Sequence, residues 1–166
     1  NQFYRNAGGN AGRGQYALSQ NVSSLISDTR NRIKDLLHCP AEQVIFTPSA
    51  TTALNMIIQG VVKGGAKNIY ISPFEHNAVT RTLHGLEKTH KISVQQLTVT
   101  DDLIYDFNKI KYQFEAQKPD LVIVSHASNV IGFVSPVVDI FTLSKKYGAI
   151  TLADMAQTAG LVDCSI

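Results

Sequence analysis

Short continuous apolar runs, Ile69-Tyr-Ile71 and Leu121-Val-Ile-Val124 among them, alternate along this chain with stretches whose apolar residues recur at helical spacing. A run of this kind is too short for a helix and lacks the polar alternation of a half-solvated strand. It suits a strand covered on both faces, and such strands belong to parallel sheets layered between helices. The order read from the sequence is strand 44–47, helix 51–62, strand 68–72, helix 77–87, strand 93–99, helix 106–117, strand 121–126, helix 136–147 and strand 150–154. Five strands with intervening helices predict an α/β fold, three layers built around a mainly parallel sheet.

Ahead of this alternation, residues 1–18 are rich in Gly and Asn and read as an extended arm. Residues 19–39 read as a helix: Ser19 is the expected cap, and Val22, Leu25, Ile26, Ile33, Leu36 and Leu37 keep helical spacing until Cys39-Pro40. No repeat, low-complexity linker or shift of composition divides the chain, so 1–166 reads as one domain. Its 166 residues, 44% hydrophobic and 17% charged, are enough to bury a core.

A net charge of +2, with Lys and Arg scattered, excludes a dedicated nucleic-acid or anionic-membrane surface. Cys39 and Cys164 are the two cysteines; no CxxC or neighbouring His gives them a metal-binding spacing, and they read as structural in a reducing, cytoplasmic setting. The opening Asn1-Gln-Phe-Tyr-Arg5 lacks a signal-peptide layout, and no apolar stretch reaches the roughly 18 residues of a membrane span. The sequon Asn21-Val-Ser23 falls inside an expected cytoplasmic helix and carries no weight.

Ligands of an open parallel sheet bind beyond the carboxyl ends of its strands, and the unusual polar groups of this chain fall there. Ser49-Ala-Thr-Thr52 opens a helix, where backbone N–H groups and the hydroxyls of Ser49 and Thr51 suit a phosphate, or where Ser/Thr simply caps the helix. No Walker lysine or GxGxxG follows a strand, which argues against nucleotide phosphates. His76 begins another helix; its imidazole can lie against a ligand ring, exchange protons near neutral pH, or hold a local hydrogen bond. Asn129 follows the Leu121 run, placed either to orient a ligand oxygen or to form a turn before Gly132.

In Ala149-Ile-Thr-Leu-Ala-Asp-Met-Ala-Gln157 an apolar run ends in Asp154, and Gln157 follows three residues later. A carboxylate at a strand end can hold a pyridine nitrogen protonated while the amide reaches another ring substituent. At an effective dielectric near 20 such a pair, about 4 Å apart, attracts by roughly 4 kcal/mol before desolvation is subtracted. A plainer role for Asp154 is to cap the turn that follows it.

Together, Phe46-Thr-Pro-Ser-Ala-Thr-Thr-Ala-Leu-Asn55, Glu75-His-Asn-Ala78, Ser125-His-Ala-Ser-Asn-Val-Ile-Gly132 and Ala153-Asp-Met-Ala-Gln-Thr-Ala-Gly160 resemble the class V aminotransferases, in their cysteine desulfurase and selenocysteine lyase branch. Gly12-Arg-Gly-Gln-Tyr-Ala-Leu-Ser19 looks like that family's N-terminal arm, so the resemblance covers nearly the whole chain. It implies a fold-type-I large domain and the cofactor pyridoxal 5'-phosphate. It assigns phosphate binding to Ala50 and Thr51, ring stacking to His76, contact with ring oxygen or substrate to Asn129, the ring nitrogen to Asp154 and the phenolic oxygen to Gln157. His76 and Asp154 are thereby the catalytic pair, with no metal. Thr52 departs from the Glu common at its position in many desulfurases.

In that family the Schiff-base lysine follows the Asp-x-x-Gln motif by roughly two dozen residues, in a Ser/Gly-His-Lys context. None of the lysines here stands in that context, and neither cysteine matches the sulfur-accepting one. The resemblance therefore implies a fragment, about two-thirds of a cofactor-binding large domain, that does not turn over by itself. The parent activity it implies is removal of sulfur or selenium from cysteine or selenocysteine to give alanine, in a homodimer served by a sulfur-acceptor protein. Other class V activities (transamination, epimerisation, kynureninase-type cleavage) reuse the same ring contacts. A non-catalytic anion-binding or assembly module is the alternative of a different kind.

Overall fold

A computed structural model of the protein describes residues 2, 5, 8–12, 14, 16–39 and 43–162. Pro40, Cys164 and parts of the arm motif lie outside them. The backbone gathers into two compact units that divide between Phe46 and Thr47.

The first unit is dominated by helix α1 (Ala17–Leu36). Its N-cap is Tyr16, whose carbonyl accepts from the Ser19 and Gln20 N–H groups. Ser19, expected as the cap, sits inside the first turn instead: it is buried, and its hydroxyl donates to the Asn10 carbonyl at 2.9 Å. At the other end His38 adopts φ 52°, with Cys39 N–H bonded to Lys34 O and His38 N–H to Asp35 O. Those two bonds form a Schellman motif, so a left-handed residue ends the helix before the proline does. The glycine that usually signals this stop is absent, which is why the pattern read on to residue 39.

Residues 44–47 are not a strand. Among the described residues no strand pairs with them, and Ile45 is 76% exposed, against the expectation of a covered run. Val44 O instead accepts from Arg30 Nε at 3.0 Å, and the Arg30 guanidinium lies 5.4 Å from the centre of the Phe46 ring. An apolar run carries strand propensity, but a neighbouring strand has to complete its ladder.

The second unit holds α2 (Ala50–Lys63), β1 (Asn68–Ile71), α3 (Asn77–Glu87), β2 (Ser93–Gln96), α4 (Phe107–Ala116), β3 (Leu121–Ser125), α5 (Val137–Lys146) and β4 (Ile150–Asp154). Among the described residues the sheet has four parallel strands rather than five, in the order β2-β1-β3-β4. Side chains alternate between its faces. Ile69, Ile71, Leu121 and Ile123 meet Leu54, Ile58, Val79 and Leu83 of α2 and α3, while Tyr70, Val122 and Val124 meet Ile110, Phe114, Ile140 and Phe141 of α4 and α5. The three-layer α/β/α expectation holds.

The connections run outward in opposite directions from the middle of the sheet. From β1 the chain passes through α3 to β2 on one side; from β3 it passes through α5 to β4 on the other. Loops leaving the carboxyl ends of β1 and β3 therefore part, and a crevice opens at this switch point.

Candidate functional site

The crevice is lined by Ala50, Thr51, His76, Asn129, Asp154 and Gln157, together with Leu54, Ala78, Ser125, Ala127 and Ala156, and encloses ≈ 440 Å³ including its open mouth. Four segments far apart in sequence thus contribute all six residues to which the resemblance assigned cofactor contacts, while Ser49, whose hydroxyl was also matched to a phosphate, lies outside the lining.

Ser49, His76 and Asp154 also perform the local tasks that the sequence left open as alternatives. Ser49 caps α2, its hydroxyl oxygen accepting from Thr52 N–H at 3.1 Å and lying 3.0 Å from Thr52 Oγ1. With Ser49 committed to the cap, Ala50 and Thr51 are the first-turn residues that face the cleft, next to N–H groups without helical partners. A helix start of this kind attracts anions through those N–H groups and the helix dipole.

His76 caps α3, Nδ1 accepting from Ala78 N–H at 3.1 Å. That bond leaves the proton of the neutral ring on Nε2 and fixes the ring against rotation. Asp154, half-buried at the end of β4, accepts from Ala156 N–H through Oδ1 at 3.0 Å. A carboxylate has about four lone-pair positions on two oxygens, so holding its own turn leaves it able to accept from a ligand. Asn129 is exposed at the turn of a loop shaped by Ser128, whose hydroxyl oxygen accepts from Val130 and Ile131 N–H. Gly132 closes that loop at φ 68°, where a side chain would be strained.

Four residues behind the cleft carry no assignment from the sequence. Glu75 reaches from the loop after β1 to the end of β3, where Oε1 accepts from Ser125 N–H at 2.6 Å and Oε2 from Ser125 Oγ–H at 2.9 Å. Burial pushes its pKa up to about 7, against the Ser125 bonds that lower it, and the negative charge of Asp154 adds to the rise. Beside it Tyr105, raised by burial as well, shares a hydrogen bond of 3.1 Å with Ser135 under an aromatic cluster with Phe74 and Phe133. His126 and Thr158, both buried, bond Nδ1 to Oγ1 at 3.0 Å and tie the loop after β3 to the turn that carries Gln157.

The donors and acceptors around the cleft suit the cofactor implied by the motifs. An anionic tail is matched by the start of α2, a basic ring nitrogen by Asp154, ring oxygens by the amides of Gln157 and Asn129, and a flat ring by the fixed imidazole of His76 over the small side chains of Ala78, Ala127 and Ala156. The residues fit the group.

An open parallel sheet with a polar cleft at its switch point defines a class of ligand-binding α/β domain. Within that class the chain belongs to the class-V aminotransferase family, whose model matches residues 1–165. It is 27% identical over 161 residues to a probable cysteine desulfurase of Halalkalibacterium halodurans, covering 95% of this chain and 39% of that protein. It is 29% identical over 154 residues to cysteine desulfurase IscS of Dictyoglomus turgidum, covering 90% of this chain and 38% of that protein. Among solved structures, the apo cysteine desulfurase of Thermococcus onnurineus superposes with a TM-score of 0.90 at 23% identity, over 99% of this chain and 41% of that one. The chain thus spans about two-fifths of the length of these relatives. Among the described residues no helix is long and apolar enough to cross a membrane.

Proposed function

We propose that this chain forms the pyridoxal-phosphate-binding part of a cysteine desulfurase-like enzyme, acting on cysteine or a related small amino acid in a homodimer. The observation that carries the reading is the meeting of Ala50, Thr51, His76, Asn129, Asp154 and Gln157 around one cleft. The desulfurase names of relatives at 25–29% identity support the choice of reaction within the family.

When bound, pyridoxal phosphate supplies an electron sink for the pair left on a substrate's α-carbon. Asp154 keeps a proton on the ring nitrogen, which preserves that capacity at neutral pH. Gln157 donates through its amide to the phenolic oxygen, and Asn129 orients the same oxygen or the substrate. His76, locked by Ala78 N–H, restrains the ring plane from one face. Ala50 and Thr51 would hold the phosphate through the free N–H groups at the start of α2, across the cleft's lining from Asp154.

Titrating pyridoxal phosphate and, separately, inorganic phosphate into the chain while following thermal unfolding tests this reading. The cofactor is expected to raise Tm more than phosphate does, Asp154→Asn to abolish that excess, and Thr51→Ala to weaken both. Equal shifts from the two ligands, unchanged by Asp154→Asn, would leave an anion-binding module in place of a cofactor site.

A further inference from the structure

We propose that Glu75 is a positioning residue for this site: behind the cleft, its carboxylate ties the loop after β1 to the end of β3 and holds His76 in register with Asp154. The proposal rests on the cofactor reading above, since it concerns how two residues of that site are aligned.

Glu75 directly precedes His76 and is bonded through both oxygens to Ser125, a residue 50 positions away in sequence. Ser125 is the last residue of β3, and its register partner in β4 is Asp154. A continuous path therefore runs from the His76 ring through Glu75 and Ser125 to Asp154. It crosses at the point where the loops after β1 and β3 part, just beyond the last backbone bond between the two sides, from Ser72 N–H to Ile123 O at 2.9 Å. On the far side His76 is pinned by Ala78 N–H and Asp154 by Ala156 N–H, so each end of the path is fixed in turn. Two parallel bonds from one carboxylate set direction as well as distance.

The titratable groups facing Glu75 are Asp154 at the end of β4 and Tyr105 ahead of α4, with His76 next to it in sequence; Ser72 and Ser125 face it as hydroxyls. Both forms of the acid can keep the clamp. The carboxylate accepts twice, whereas the acid accepts from Ser125 N–H and donates its proton to Ser125 Oγ. Raising the pH through about 7 therefore adds charge beside Asp154 while the alignment persists. Glutamine, which accepts with Oε1 and donates with its amide, imitates the protonated acid.

The test compares the chain with its Glu75→Gln, Glu75→Ala and Ser125→Ala variants, using amide and imidazole NMR without ligand and pyridoxal phosphate titration alongside. The expected result is that Glu75→Ala moves the His76 ring and the Asp154 and Ala156 amide resonances and weakens cofactor binding about tenfold. Glu75→Gln keeps the resonances and binds within about threefold, but loses the inflection that the Ser125 amide shows near pH 7. Ser125→Ala, which keeps the backbone bond and the charge, falls between them and serves if Glu75→Ala does not fold. Resonances of His76 and Asp154 that stay put in both alanine variants, or identical behaviour of Glu75→Gln and Glu75→Ala, would overturn the proposal. Failure of the unsubstituted chain to bind pyridoxal phosphate would instead sink the cofactor reading, and the ligand-free resonances would still decide the role of Glu75.

Discussion

Glu75 and Asp154 are carboxylates at the ends of strands in one sheet, and they are used in opposite ways. Glu75 lies behind the cleft with both oxygens spent on Ser125, and burial lifts its pKa to about 7. Asp154 lines the cleft and spends one oxygen on its own turn. Capacity left over, more than burial, separates a group that holds the structure from one that can hold a ligand. An acid with both oxygens bonded within the protein is committed; one with a single oxygen bonded is available.

The contrast breaks most visibly if Asp154→Asn leaves cofactor affinity intact. The expected loss is about a hundredfold, the part of a roughly 4 kcal/mol ion pair that survives desolvation, measured by pyridoxal phosphate titration; unfolding of the ligand-free variant should shift by under about 1 kcal/mol. Glu75→Ala should behave the other way, lowering stability by about 2 kcal/mol in urea at pH 6, because two donors of Ser125 lose their acceptor.

A smaller effect sharpens the same comparison through pH. An acid whose folded-state pKa is raised from 4.5 to about 7 binds its proton more tightly in the native chain than in the unfolded one. Its contribution is full below the ordinary glutamate value and is lost as pH rises through about 7. Unfolding free energies measured between pH 5 and 8 should therefore fall by about 1–2 kcal/mol relative to Glu75→Gln, which has no such proton to lose. The smallest effect expected is from Thr158→Val, which removes the bond to His126 at a cost of about 1 kcal/mol and should loosen the Gln157 turn, visible as faster amide exchange there.

Much of the second unit was legible because its signals are local. The apolar runs at Ile69 and Leu121 mark strands covered on both faces, and the bounds of β4 and α3 agree with the pattern. Three of the four polar clusters were legible as strand-end loops, the fourth as the start of α2 although no strand precedes it among the described residues, and the parallel topology then brings them together. What stayed hidden depends on partners far along the chain. A Glu before a helix-starting His carries no sign that it will be bonded 50 residues away. Residues 44–47 have the composition of a strand but no strand beside them among the described residues. Ser19 has the chemistry of a cap, yet Asn10 supplies it with a different partner and Tyr16 takes the capping position.

The central position of β1 imposes an order on assembly. Its pairing with β2 spans some two dozen residues and can form as soon as that crossover is made, whereas its other edge receives β3 only after Leu121 arrives. Closing so distant a contact is slow, and until it happens a strand edge with a nascent carboxylate next to it stands open to solvent and to other chains. The Glu75–Ser125 link must therefore be among the late events of maturation, so that the ligand cleft takes shape only once the sheet has zipped past its middle.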